Sequence, residues 1–121
     1  MTFNTLILWA KRQFDFTDAS FLASAINLLE KRLESEVLSP AGVEIQQRLL
    51  TESSKKEKLL LPEEFYNLYT AYVAMLVSAK RCDGQMAAFY QALFEDILDR
   101  IKVYYRKKYT PVKSVKLGGG I

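Results

Sequence analysis

The sequence predicts a mainly α-helical protein, a small bundle of about four helices with an antiparallel αα-hairpin in its C-terminal half. Apolar residues recur at three- and four-residue steps along most of the chain, the period of one buried helix face. Breaks rich in Asp, Ser, Pro and Gly interrupt that period at residues 14–18, 39–42 and 82–84. At 121 residues, 50% of them apolar and 26% charged, the chain suits one domain that buries its own core.

Residues 2–14 read as a short opening helix, with Leu6, Trp9, Ala10 and Gln13 down one side. The stretch Phe14-Asp15-Phe16-Thr17-Asp18 breaks the period and offers Thr17 or Asp18 as an N-cap, whose side-chain oxygen can accept from a free helix N–H. A second helix follows over about 19–37. Phe21, Leu22, Ala25, Ile26, Leu29, Leu33 and Val37 form its apolar face, while Glu30, Lys31, Glu34 and Glu36 fill the other faces. Pro40 and Gly42 end it, because Pro cannot continue a helix and Gly accepts a left-handed turn.

Residues 43–61 form an insertion with two readings. Val43-Glu44-Ile45-Gln46 alternates like a strand, Gln47-Arg48-Leu49-Leu50 could continue a helix, and Lys58-Leu59-Leu60-Leu61 is a short apolar run beyond a polar tip. The expectation is a short β-hairpin; an amphipathic helix over 43–52 is the other reading. Pro62 then suits the first position of a third helix, and Glu63 and Glu64 complement its positive N-terminal dipole. Phe65, Leu68, Tyr69, Tyr72, Val73, Leu76 and Ala79 form the apolar face of that helix, up to about residue 81. After the turn Cys82-Asp83-Gly84, a fourth helix spans about 85–108 with Met86, Phe89, Tyr90, Leu93, Ile97, Ile101 and Tyr104 as its stripe. A three-residue connection makes the last two helices antiparallel neighbours. The helical domain thus covers 1–108, and 109–121 reads as an extended C-terminal arm. Pro111 pushes Thr110 to an extended shape, and Val112, Val115 and Leu117 can insert into a neighbour's surface or add a strand to its sheet edge.

Two counts bear on chemistry. The chain has no histidine, which removes the usual general base and imidazole ligand. Its single cysteine, Cys82, can form neither an internal disulfide nor a cysteine zinc site. The reading is a non-enzyme with no catalytic, cofactor or metal site. No apolar run approaches the ~20 residues of a spanning helix, and Met1-Thr2-Phe3-Asn4 lacks the basic start of a signal peptide. The expectation is a soluble protein, made in the cytoplasm of its cell and without a membrane partner.

Charge is unevenly distributed. The last 22 residues hold Arg100, Lys102, Arg106, Lys107, Lys108, Lys113 and Lys116 and no acid, a net of +7; the first 99 hold the other 10 basic residues and all 14 acids, a net of −4. Ends of opposite sign attract one another across copies, and a basic end suits phosphate or an acidic protein surface. Cations also complement the negative end of a helix dipole, which accounts for Arg106, Lys107 and Lys108 without any partner. Tyr104-Tyr105-Arg106-Lys107-Lys108-Tyr109 interleaves rings with cations, as single-strand nucleic-acid surfaces do, although most of the tyrosines fall on apolar stripes. Glu95, Asp96 and Asp99 read as solvated helix pairs, Asp96 with Arg100 and Asp99 with Lys102.

Leu61-Pro62-Glu63-Glu64-Phe65, a Tyr- and Ala-rich helix, Asp83, then Ala87-Ala88-Phe89-Tyr90-Gln91-Ala92-Leu93-Phe94-Glu95 running into Tyr104-Tyr105-Arg106-Lys107-Lys108 resembles the head–tail adaptor (connector) proteins of tailed bacteriophages. The opening helix, acidic turn and long helix are similar in layout. Val112-Lys113-Ser114-Val115-Lys116-Leu117-Gly118 looks like the Lys-Ser-containing C-terminal segment many of them carry. The resemblance implies a homo-oligomeric ring, a dodecamer in the virion neck, docked between the portal protein and the tail or its stopper with DNA passing through its channel. It also implies that Tyr109, Pro111, Val112, Lys113, Val115, Lys116 and Leu117 lie in a portal-binding arm. Arg100, Lys102, Arg106, Lys107 and Lys108 would then face the portal or the DNA. The alternative is a small helical accessory protein that binds nucleic acid through the same basic, Tyr-rich segment.

Overall fold

The computed structural model describes residues 1–109; the arm residues Pro111, Val112, Lys113, Val115, Lys116 and Leu117 lie outside the described residues. Among the described residues there are four α-helices: α1 (Phe3–Phe14), α2 (Ala19–Leu33), α3 (Tyr66–Lys80) and α4 (Gly84–Tyr109). A π-helical turn over Glu34–Leu38 prolongs α2, and a 3-10 turn over Glu63–Phe65 leads into α3. The small helical bundle expected from the periodicity is therefore the observed architecture.

Each helix end has its own chemical reason. Asp18, one of the two expected caps, takes the start of α2: its Oδ1 accepts from the Phe21 N–H at 3.0 Å. Asp15 stops α1 by adopting a left-handed conformation (φ 52°), which an Asp tolerates. The π turn closes with the Ser39 N–H on the Glu34 carbonyl at 2.8 Å. Gly42, at φ 76°, then turns the chain away from the helix. At the end of α3 the Asp83 N–H reaches the Ser78 carbonyl (2.9 Å) and the Cys82 N–H the Ala79 carbonyl (3.1 Å). That is a Schellman closure with Cys82 in the left-handed position at φ 59°. Asp83 Oδ1 in turn accepts from the Met86 N–H (3.1 Å) and starts α4.

The core consists of Phe3, Leu6 and Ala10 from α1, Leu22, Ile26, Leu29 and Leu33 from α2, and Leu68, Tyr69, Val73 and Val77 from α3. On α4 the buried stripe is Phe94, Ile97, Leu98, Ile101 and Tyr105. This corrects the expected α4 face: Ile97 and Ile101 belong to it, but Met86, Phe89 and Leu93 are exposed. Over the same turns Ala87 and Tyr90 are half-buried instead, Tyr90 with its ring edge-on to Phe14 of α1 at 6.3 Å. In α3 the expected Leu76 and Ala79 give way to Ala71, Ala74, Val77 and Ser78, because α3 packs against both α1 and α4 and so buries more than one stripe. Small residues on that second stripe suit the close approach of a neighbouring helix.

The insertion is neither the expected hairpin nor the helix over 43–52. Among the described residues there is no strand, only an isolated bridge between Thr2 and Lys58. The two arms do not pair with each other. Backbone groups of the second arm bond the start of α1 instead: Phe3 N–H to the Glu57 carbonyl (2.8 Å), Asn4 N–H to the Lys55 carbonyl (3.0 Å) and Leu59 N–H to the Met1 carbonyl (3.2 Å). The first two satisfy N–H groups that every helix start leaves open, and Thr2 makes no side-chain cap there. Leu50, Leu59 and Leu61 are pressed into the core as the loop passes.

Cys82 holds a conformation that glycine adopts without steric cost, and its side chain is exposed. Cys82→Gly should therefore raise stability by about 0.5–1 kcal/mol, the relief of left-handed strain outweighing the added freedom of the unfolded chain. Thermal unfolding checks this; a lowered midpoint would show that the turn carries no such strain.

Candidate functional site

The five basic candidates on α4 do not share one face. Residues 100 and 107 lie seven apart on one flank of the helix, and 102 and 106 four apart on the other. Arg100 is exposed and pairs with Asp96 at 2.9 Å, as expected from the sequence. Lys102 does not take Asp99: its Nζ lies 2.9 Å from Glu36 Oε1 on the π turn. A partner on a packed neighbouring helix displaces the local one because it shares the flank that α4 turns towards α2. Arg106, Lys107 and Lys108 are exposed, and Lys108 Nζ donates to Tyr104 Oη at 3.1 Å while lying over its ring. Tyr109 closes α4, and its side chain lies outside the described residues.

Lys102 belongs to a charge network joining α2 to α4. Arg32 Nε donates to Glu36 Oε2 at 2.7 Å, and its two terminal nitrogens donate to Glu95 at 3.1 and 3.2 Å. Arg32 also lies over the Phe94 ring, 5.4 Å from its centre. The fork on Glu95 holds the Arg32 pKa above its ordinary value, and Lys102 together with Arg32 holds the Glu36 carboxyl below its own. These groups are about one-third exposed, so the network sets the register of the π turn on α4 more than it adds stability.

A second polar cluster escaped the sequence reading. Glu30, assigned there to a solvent face, is buried. Arg48 grips it with both terminal nitrogens and also donates to the Lys58 carbonyl at 2.6 Å. Glu30 Oε2 accepts from the Leu60 N–H at 2.7 Å and from the Tyr69 hydroxyl at 3.3 Å. The Tyr69 oxygen in turn accepts from the Leu61 N–H at 3.0 Å. Burial first, then the adjacent Glu30 charge, raises the Tyr69 pKa, so this hydroxyl stays protonated and keeps donating. Three residues earlier on α2, Asn27 meets Leu50 with both amide atoms at 2.9 Å, as a neighbouring strand would. One signal was present in the sequence: positions 26, 30, 33 and 37 are one stripe, and a carboxylate among three aliphatic residues is a candidate for burial. Its partner Arg48, 18 residues away across an irregular loop, carried no such periodicity.

Between α2 and the two loop arms lies an open cleft of about 560 Å³, lined by Ile45, Leu49 and Leu60 beside Glu30 and Arg48. On its α2 wall, Asn27 and Glu30 already bond the loop. Among the described residues no buried side-chain nitrogen or oxygen lacks a partner, and no three Cys, Asp or Glu side chains converge as metal ligands. No helix among them is long and apolar enough to cross a membrane. No family model, curated protein or solved structure matches the chain.

If Glu30 anchors the loop, Glu30→Gln should lower stability by about 2–4 kcal/mol, because it leaves the Arg48 guanidinium partly buried without its counter-charge. Adding Arg48→Met should restore about 1 kcal/mol or more of that loss. Urea unfolding of Glu30→Gln, Arg48→Met and the double variant checks the pair; simple additivity of the two single losses would contradict the anchoring role.

Proposed function

We propose that this chain is a structural virion protein, a head–tail adaptor. Copies would form a ring, a dodecamer in the virion neck, between the portal and the tail or its stopper, with the DNA passing through. The basic C-terminal arm docks the ring on the portal. One observation carries the reading beyond the resemblance of the sequence. Phe65, at the entry to α3, meets Tyr104 edge-on at 5.2 Å and Tyr105 at a tilt at 6.0 Å, so the final turn of α4 runs past the start of its partner helix. That turn exposes Arg106, Lys107 and Lys108 and leads directly into residues 110–121. The last helix thus presents a strongly basic end beyond its contact with α3, on a body of net negative charge, which suits docking onto a separate surface.

The competing nucleic-acid reading needs its tyrosines as stacking platforms. Tyr105 is buried and Tyr104 packs against Phe65 beneath Lys108. Both rings are therefore occupied within the fold, which favours the adaptor.

Two measurements separate these readings. Deleting residues 109–121 should leave helix content and unfolding midpoint close to those of the full chain, since the core lies within 3–105, while abolishing capture of the portal-bearing particle. Normal docking by the truncated chain would rule out the arm. The nucleic-acid reading expects instead an affinity that falls with salt with a log–log slope of several units, about 0.9 per phosphate contact. Absence of binding at low salt eliminates it.

A further inference from the structure

The first arm of the insertion leaves its backbone unclaimed. Residues 43–51 make no turn or bend. The Val43 N–H bonds the Leu38 carbonyl at 2.9 Å and Leu50 meets Asn27, so the seven steps from 43 to 50 run back along the eleven positions from 38 to 27. That is about 16 Å, against about 10 Å for seven residues of helix, so the arm is drawn out. Between those two ties, none of the N–H and carbonyl groups of residues 44–49 bonds another described residue. The second arm differs. Its groups at 55, 57 and 59 are taken by the start of α1, and those at 58, 60 and 61 by side chains. The free arm is nevertheless fixed in place, by Arg48 on Glu30 and by Leu50 in the core. An extended row of unpaired donors and acceptors, held by its own side chains, is the template to which another extended chain adds as a strand.

The sequence itself contains a segment of that kind. Val112-Lys113-Ser114-Val115-Lys116-Leu117 has β-branched residues and no acid. Val115 and Leu117, two apart, share one face of a strand. The cleft beside the free arm offers half-buried Ile45 and exposed Leu49 to such a face. Charge favours the same occupant. The arm and its tip carry exposed Glu44 and Glu52, and their one cation, Arg48, is spent on Glu30; Lys31 and Lys58 stand on the other walls of the cleft. Lys113 and Lys116 complement the two glutamates. Reach decides which copy supplies the segment. Arg32 and Glu36 of α2 and its π turn face α4, whereas Glu30 faces the loop. Two residues apart on a helix is a rotation of about 200°, so the arm and α4 lie on opposite sides of α2. Crossing from one to the other takes about 20 Å, or about six extended residues. A chain's own segment, starting after Tyr109, would spend Val112 and Val115 on the crossing and arrive at its glycines. A second copy meets no such limit. We infer that residues 112–117 of a second copy add as a strand along residues 44–49, with Val115 and Leu117 beside Ile45 and Leu49.

The contact goes beyond the docking reading and needs neither a portal nor a closed ring; the two contacts compete for one arm. Amide exchange of the full chain, followed by NMR, reads the free edge directly. At about 10 μM the amides of residues 44–49 should exchange as those of an open loop do. At about 1 mM every second one should slow by about tenfold or more, while sedimentation shows the average mass rising. Val112→Pro combined with Val115→Pro should abolish both effects. The two positions face opposite sides of a strand, so in any register one of them carries a paired N–H that Pro removes. Helix content and thermal midpoint should not change, since the core lies within 3–105. Amides that stay open at the high concentration overturn the inference. So does equal protection at both concentrations, which gives the edge to the chain's own arm, and so does protection that survives the double proline, which gives it to another segment. None of these outcomes involves a portal, so each leaves the docking reading as it stood, and normal docking by the truncated chain leaves this one as it stood.

Discussion

The Glu30 carboxylate is the constraint on which the rest of the structure depends. A long irregular insertion has no ladder of backbone bonds to hold it, so its position must come from side chains. Glu30 supplies one buried anion to Arg48, to the Leu60 N–H and to the Tyr69 hydroxyl, tying both arms of the loop and α3 to α2. Burying a charge is costly unless it is paired and hydrogen-bonded, and here every contact does one or the other. The loop so placed presses Leu50, Leu59 and Leu61 into the core and delivers the Glu57 and Lys55 carbonyls to the first N–H groups of α1. α1 is therefore capped by a loop that α2 positions.

Much of this fold was legible in the sequence because helices advertise themselves by period and punctuation. Asp18, Pro40, Gly42 and the Cys82-Asp83-Gly84 turn fall at the ends where the structure has them. The failures have physical causes. Met86, Phe89 and Leu93 share a helical spacing with a core stripe, and spacing alone cannot tell a face covered by the same chain from one left open. The insertion alternates like a strand, but a strand needs a partner edge, and the partner atoms here are the Asn27 amide and the open end of α1. Glu30 has the charge of a surface residue, but its position in the stripe with Ile26, Leu33 and Val37 buries it. Of the candidate site, the exposed basic turns could be read directly, whereas the diversion of Lys102 to Glu36 depended on a π turn that no local pattern announces.

The two polar clusters divide their work. The Glu30 group is buried and holds the loop. The Arg32, Glu36, Glu95 and Lys102 group is half in water and fixes where α2 meets α4. Between them α2 is held on both sides, and α4 gains a fixed register against α2, beyond which its basic last turn runs. Rigidity at that point suits a protein whose proposed task is to hold other parts in place.

The bonds between α1 and the loop also bear on how the chain acquires its shape. Phe3 meets Glu57 and Glu30 meets Tyr69, contacts of long sequence separation, whereas α3 and α4 are joined by a short turn. Contacts close in sequence form at lower entropic cost, so the α3–α4 hairpin is the natural nucleus and the N-terminal half its late addition. On a ribosome the order of appearance is the reverse. Residues 1–61 emerge first, carrying half of a core and an acid whose tyrosine has not yet emerged, and they wait for α3 before that core can close.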